Sequence, residues 1–294
     1  SFTTPCDVFT PDYAESFDTF LPDCWEQAGA GDPTTGPSDF GTSLWSHEGF
    51  LNTGVTNSVN INLYTTSREE WLISPTFDLS GDTYELAYIA AVTDFNNSNA
   101  PEANGMGSDD EVQILISEDD GATWANLKTY NQSDFPSETG DNETIDLASY
   151  TGDAKFAIWA TDGSVDDTED YEFFIDEFEV RVPPTCNVPT GLTFSNITAT
   201  TAQLDWTATT STETGGYEYV LITDGSTPDA TTTPTGSVGT GVTTANPSGL
   251  SSQTDYDAYV RAVCSVGDES DWSSAVSFTT PCDVFTPDYA ESFD

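Results

Sequence analysis

Positive charge is scarce in this chain. Its 294 residues include five Lys or Arg, one His and one Met, against 51 Asp or Glu, for a formal net charge of −46. That charge is repelled by nucleic acid and by anionic membrane surfaces, so neither is an expected partner. No glycine-rich phosphate loop ending in lysine is present. The sole histidine, His47, lies in "LWSHEGF", which has no nucleophile-elbow pattern, so Ser–His–Asp chemistry is not expected. No apolar run approaches the length of a transmembrane helix, which argues against direct membrane insertion. Carboxylate pairs could cleave glycosides, but among 51 acids such a pair can always be found and the signal has no specificity. The expectation is a protein that is not an enzyme.

What the chain does contain points to β-structure. Seven Trp, 12 Tyr and 17 Phe rule out a disordered acidic tail. Thr, Ser, Asp, Asn and Gly dominate, a composition for strands and turns, so the fold class is all-β. The length suggests about two domains. "SFTTPCDVFTPDYAESFD" occurs twice, from Ser1 and again from Ser277, a spacing of 276 residues (277 minus 1). Eighteen identical residues read as a tandem repeat seen through a window slightly longer than one period. The natural chain is expected to be longer, with neighbouring repeats as its first partners.

The repeat also resolves the cysteines. There are five, at 6, 24, 186, 264 and 282, and Cys282 is the counterpart of Cys6. Each period then holds four. The natural pairing is Cys6 with Cys24 and Cys186 with Cys264, leaving Cys282 for the next repeat; metal ligation and free thiols are the alternatives. The absence of a CxxC spacing and the isolation of His47 argue against zinc. Disulfides imply an oxidising, extracellular compartment.

"VRVPPTCNVPTGL" (180–192) interrupts strand-like text with three prolines and marks a boundary. The expected division is a joint at 1–6, a domain at 7–182, a second at 185–280 and the start of the next repeat at 281–294. In the second, Ala202, Leu204 and Trp206 alternate onto one face, and the L-x-x-x-T-x-Y-x-x-x-V-x-A run ends on Ala262 before a closing "WSSAVSFTT". This segment resembles a fibronectin type III domain. The resemblance implies that Trp206 is the core tryptophan and that Tyr256 is the tyrosine-corner residue, whose hydroxyl ties a loop to the backbone. The Cys186/Cys264 pair departs from most animal examples and is similar to bacterial surface versions.

The first domain carries strand candidates at 61–65, 70–74, 84–92, 111–117, 155–161 and 172–182, joined by long polar connections such as 93–110 and 131–143. Long strands with long loops suggest a two-sheet jelly roll. "ESFDTFLPDCW" (15–25), "EWLISPTFDLS" (70–80) and "YEFFIDEFEV" (171–180) resemble the MAM-like jelly-roll modules of bacterial cleaved adhesins, in which a fibronectin type III domain often follows. "SEDDGATW" fits the Asp-box pattern, with Asp119 and Gly121 shaping a turn over Trp124; it reads as a hairpin staple rather than a sugar or metal contact. Trp45, Trp71 and Trp159 are candidates for stacking on sugar rings, against the commoner reading as core.

The resemblance to MAM-like modules implies a Ca²⁺ ion between first and last strands, held by Glu15, Asp18, Asp176 and Glu177. A carboxylate flanked by Phe174, Ile175 and Phe178 is costly to bury without a cation. The opposing reading is that these acids alternate outward into solvent. Weaker clusters are Asp109 and Asp110 with Asp94, and the acidic loop 162–170. Taken together, the expectation is a repeating unit of a long secreted bacterial surface fibre or stalk. It would mediate adhesion or filament formation, with lateral copies and a glycan or other cell-surface ligand as further partners. A carbohydrate-binding module of a secreted protein is the alternative.

Overall fold

The computed structural model describes residues 6–54, 57–101, 105–223 and 225–283. It divides into two compact units, Ser1–Pro183 and Pro184–Asp294. Most of the expected joint at 1–6 and most of the second copy's opening, 284–294, lie outside the described residues. No helix among the described residues is long and apolar enough to cross a membrane.

The first unit has twelve strands: β1 (Tyr13–Glu15), β2 (Glu26–Ala30), β3 (Ser38–Phe40), β4 (Ser46–Gly49), β5 (Asn57–Leu63), β6 (Glu70–Asp78), β7 (Glu85–Asp94), β8 (Glu111–Ser117), β9 (Ala125–Tyr130), β10 (Asp141–Asp146), β11 (Asp153–Thr161) and β12 (Tyr171–Arg181). They form two six-stranded antiparallel sheets, the two-sheet sandwich expected of a jelly roll. One runs β10-β7-β12-β5-β4, with β1 also on β12; the other runs β3-β2-β6-β11-β8-β9. The period-two rule sets each face. In β5, Val59, Ile61 and Leu63 enter the core shared with Leu72, Ile114, Phe156 and Phe173, while Ser58, Asn60 and Asn62 take the opposite face.

Strand β12 is the exception to one-sided burial. Tyr171, Phe173 and Ile175 face the core, yet Glu172, Phe174 and Asp176 on the other face are also buried. A short 3-10 turn, Phe50–Asn52, lies over that face and packs Phe50 against Phe174 with ring centroids 6.0 Å apart. Strand β10 emerges where the sequence reads as a polar connection. It is an edge strand that pairs with β7, and polar side chains there are ordinary for an edge.

The second unit has eight strands: β13 (Thr190–Ser195), β14 (Gln203–Thr207), β15 (Gly216–Ile222), β16 (Gly236–Val238), β17 (Thr244–Ala245), β18 (Asp255–Ser265), β19 (Asp268–Glu269) and β20 (Val276–Thr279). One sheet is β13-β14-β17; the other is β16-β15-β18-β19, with β20 on β18. Leu204, Trp206, Tyr217 and Val260 fill its core. The Tyr256 hydroxyl accepts the Ser251 N–H (2.9 Å), closing the loop ahead of β18. Disulfides join Cys6 to Cys24 and Cys186 to Cys264, and Cys282 is free and exposed.

Two predictions follow from these cores. Among the described residues, the buried hydroxyls of Tyr88 and Tyr130 bond only to each other across the first core (2.8 Å). Tyr130→Phe leaves one hydroxyl unpaired and should cost about 1–3 kcal/mol, while the double Phe variant should be closer to wild type than either single one. Urea unfolding of the four proteins checks this, and simple additivity would refute it. Burial pushes both phenols above their ordinary value, so the folded chain keeps their protons. Their stabilising effect is therefore full below pH 10 and should decline as pH rises beyond it. Cys186→Ala/Cys264→Ala opens a bridge of sequence separation 78 and should lower second-unit stability by about 2–5 kcal/mol. An unshifted second-unit transition in calorimetry of the full chain would contradict this.

Candidate functional site

The candidate acids on β12 occupy a gap in its pairing. Along one edge β12 pairs with β5 as far as Ile175↔Val59, then with β1 from Phe178↔Glu15 onward. Along the other edge β7 stays throughout, with a bulge between Asp176 and Glu179. Glu177 takes a left-handed φ of 48° within it. Asp176 and Glu177 thus fall where neither β5 nor β1 is hydrogen-bonded to the strand. Bulges often re-aim side chains near functional sites.

Asp176 is 4% exposed, and its Oδ1 accepts the Glu177 N–H at 2.8 Å. No ion pair reaches it among the described residues. Burial, then the negative charges of Glu177 and Asp18, pushes its carboxyl up to about 6. Glu15 is half-buried and is also raised, first by desolvation and further by Asp18 and Asp23. Its Oε1 accepts the Phe17 N–H (2.8 Å), and Asp18 Oδ1 accepts from Asn57 Nδ2 (3.4 Å). Asp18 therefore lies within electrostatic reach of both Glu15 and Asp176. The four carboxylates do not converge as a ligand set; Glu177 is exposed at the rim.

A tighter convergence occurs elsewhere. Carboxylate oxygens of Asp109, Asp110 and Asp167 lie within 4.8 Å of one another. This joins the cluster at 109–110 to the acidic loop 162–170, which the sequence presents as separate. Asp110 is buried, and its Oδ2 accepts the Tyr171 hydroxyl at 2.6 Å. Desolvation raises its carboxyl to about 6, with Asp162 and Asp167 adding to the rise. Asp109 is held below its ordinary value by the Ser164 backbone N–H. Asp94 stands outside this group and accepts from Asn97 Nδ2 (2.7 Å). The sequence offers Asp167 only as one acid of the loop 162–170; its partners lie more than fifty positions away, and the fold brings them together.

Of the two places, only the Asp109, Asp110 and Asp167 group brings carboxylate oxygens together in the way a hard cation requires; at Asp176 the buried carboxyl has acidic neighbours but no converging ligand set. All five basic residues are engaged elsewhere: Arg68 with Asp162, Lys128 with Asp134, Lys155 with Asp120, Arg181 with Glu85 and Glu179, and Arg261 with Glu218. No side-chain cation remains for Asp176 or Asp110.

The Asp-box residues form a hairpin turn. Asp119 Oδ1 accepts from Ser117 Oγ (2.9 Å) and Thr123 N (2.8 Å), while Gly121 takes a φ of 86°. Trp124 packs against Trp71 in a tilted arrangement, with ring centroids 5.5 Å apart. Trp45, Trp71 and Trp159 are all buried, so none offers a face to a sugar. Trp71 and Trp159 instead both donate from Nε1 to Gly31 O, pinning a loop over the outer face of β6 and β11.

Comparison with known proteins adds the following. A cleaved-adhesin domain of Lys-gingipain from Porphyromonas gingivalis is 16% identical, over 59% of this chain and 99% of that domain, with a TM-score of 0.39. A fibronectin type III domain of human collagen XX is 22% identical, over 33% of this chain and 95% of that one, with a TM-score of 0.28. A β-1,2-glucanase from Parabacteroides distasonis is 14% identical over 94% of this chain, which spans 38% of the glucanase, with a TM-score of 0.31. No curated protein matches the chain. Residues 187–279 match the family described as Fibronectin type III domain, and the second unit contains such a domain.

Proposed function

We propose that the chain is one repeating unit of a long secreted, non-catalytic surface fibre or stalk of a bacterium, serving adhesion or cell-surface filament formation. The observation that carries this reading is the eighteen-residue identity between Ser1–Asp18 and Ser277–Asp294. The rest supports it. Two β-sandwich units, each closed by one disulfide, suit an exposed oxidising environment. The cysteines are oxidised apart from Cys282, and His47 is exposed on β4. A dense negative charge keeps neighbouring units from collapsing onto one another.

Calcium belongs to the same proposal. Glu15, Asp18, Asp176 and Glu177 would hold one ion where β12 changes partner; Asp109, Asp110 and Asp167 are a second candidate set. When bound, the ion would neutralise buried carboxylates and tie β1 to β12. The chain's own residues would supply the cradle: Asp176 and Glu177 sit at the bulge of β12, and the Tyr171 hydroxyl donates to Asp110.

Two measurements test this. Electron microscopy of the native material should show beaded or helical fibres; compact monomers, from a gene with no neighbouring copy, would end the fibre reading. A chelator should lower the melting temperature, and Asp176→Asn should remove most of that sensitivity. A melting curve indifferent to chelator would dismiss calcium.

A further inference from the structure

The outer face of the first sheet carries a depression of about 340 Å³ lined by Leu44, Glu48, Asn60, Arg68, Phe95 and Glu172, with Ser46, Asn62 and Asn96 beside them. That volume falls at the small end of ligand pockets. Its floor and rim have opposite chemistry, and each is the reverse of what exposure alone would select. The floor is polar and buried: Asn60 is 2% exposed and Glu172 is 3%. The rim is apolar and exposed, with Leu44 at 50% and Phe95 at 41%.

The floor is a fixed hydrogen-bonded array. Asn60 Nδ2 donates to Glu48 Oε2 and Glu172 Oε1 (both 3.2 Å), and its Oδ1 accepts from Ser46 Oγ (2.7 Å). Glu172 Oε2 accepts from Asn52 Nδ2 (2.8 Å) and the Asn96 N–H (3.0 Å). A carboxylate can accept about four bonds, so both glutamates keep acceptor capacity. Arg68 donates from Nη1 to Asn62 O and pairs through Nε with Asp162 (3.3 Å), which leaves Nη2 available among the described residues. The rim is also held in place. The Leu44 N–H is fixed by Glu70 Oε2 (2.8 Å) and the Phe95 N–H by Asp170 O (3.2 Å).

We propose that this depression is a binding site for a neutral saccharide. Hydroxyl hydrogens would donate to Glu48 and Glu172, a hydroxyl oxygen would accept from Arg68, and a C–H ring face would lie against Phe95 and Leu44. An anion meets two carboxylates here. A metal ion finds two acids already engaged by amides, with no convergence of three at this place. A purely apolar ligand would strand the floor. A rim and floor held by hydrogen bonds before binding reduce the ordering that a weak ligand must overcome. The proposal gives the adhesive part of the functional reading a ligand class. It is tested on the single chain in solution, so its outcome is separate from whether chains form fibres.

The test is calorimetric and saturation-transfer NMR titration of the full chain with maltohexaose, cellohexaose, laminarihexaose and mannohexaose, with oligogalacturonate as the charged control. At least one neutral hexaose should bind, and oligogalacturonate should not. Phe95→Ala, a change at an exposed ring that leaves the core intact, should weaken binding by about tenfold or more, the equivalent of about 1.4 kcal/mol. Glu48→Gln should weaken it by a smaller factor, with an unchanged melting curve. Absence of binding by all four neutral sugars would overturn the site. So would binding unaffected by Phe95→Ala, or binding of oligogalacturonate as tight as that of the neutral sugars.

Discussion

The first unit depends on one constraint, the burial of β12 on both faces. A strand at the middle of an antiparallel sheet normally shows one face to solvent. Here Phe50 and the segment around it cover the second face, so side chains that alternate outward still lose contact with water. Glu172 lies beneath that segment, bonded by Asn52, and Asp176 is buried on the same parity of the strand. Both are acids on the outward parity of β12, both are nearly inaccessible, and both have carboxyls raised primarily by burial. What separates them is their surroundings. Glu172 accepts from Asn60, Asn52 and the Asn96 backbone, whereas Asp176 has one N–H donor and acidic neighbours. The first is hydrogen-bonded into a polar floor, and the second is a buried carboxyl with no ion-pair partner among the described residues.

Much of this was legible in the sequence, in proportion to how local its cause was. The all-β class follows from composition, and the alternation of Ala202, Leu204 and Trp206 puts all three in the second unit's interior. The pairing expected from the cysteine positions, Cys6 with Cys24 and Cys186 with Cys264, is the one found, with Cys282 left free. By contrast, the strand reading that began at Ile61 left out Ser58 and Asn60. Small polar residues on alternate positions read as solvent-facing, and only a covering segment distant in sequence shows that they are buried. Asp167 was visible only as part of the acidic loop 162–170; its meeting with Asp109 and Asp110 is made by the fold. The tryptophans proposed for sugar stacking were drawn inward by area, and the exposed aromatic at the depression is a phenylalanine in a loop.

The charge balance is settled in the same way throughout. Every basic side chain sits within reach of an acid, including Arg261, which also lies 4.6 Å over the Trp272 ring. Exposed pairs of this kind contribute little to stability. Their larger effect is to remove every lysine and arginine from the inventory of groups that could neutralise the remaining carboxylates.

That complete pairing has a colloidal consequence. Because each of the five basic side chains already pairs with an acid of its own chain, another copy meets mainly negative charge. Encounters between such molecules meet a repulsive barrier that reaches about 10 Å at 0.1 M salt and about 3 Å at 1 M. Side-by-side approach is thus gated by the ionic medium rather than by a lock of matching charges. Brackish and saline water become physically different solvents for a chain of this kind.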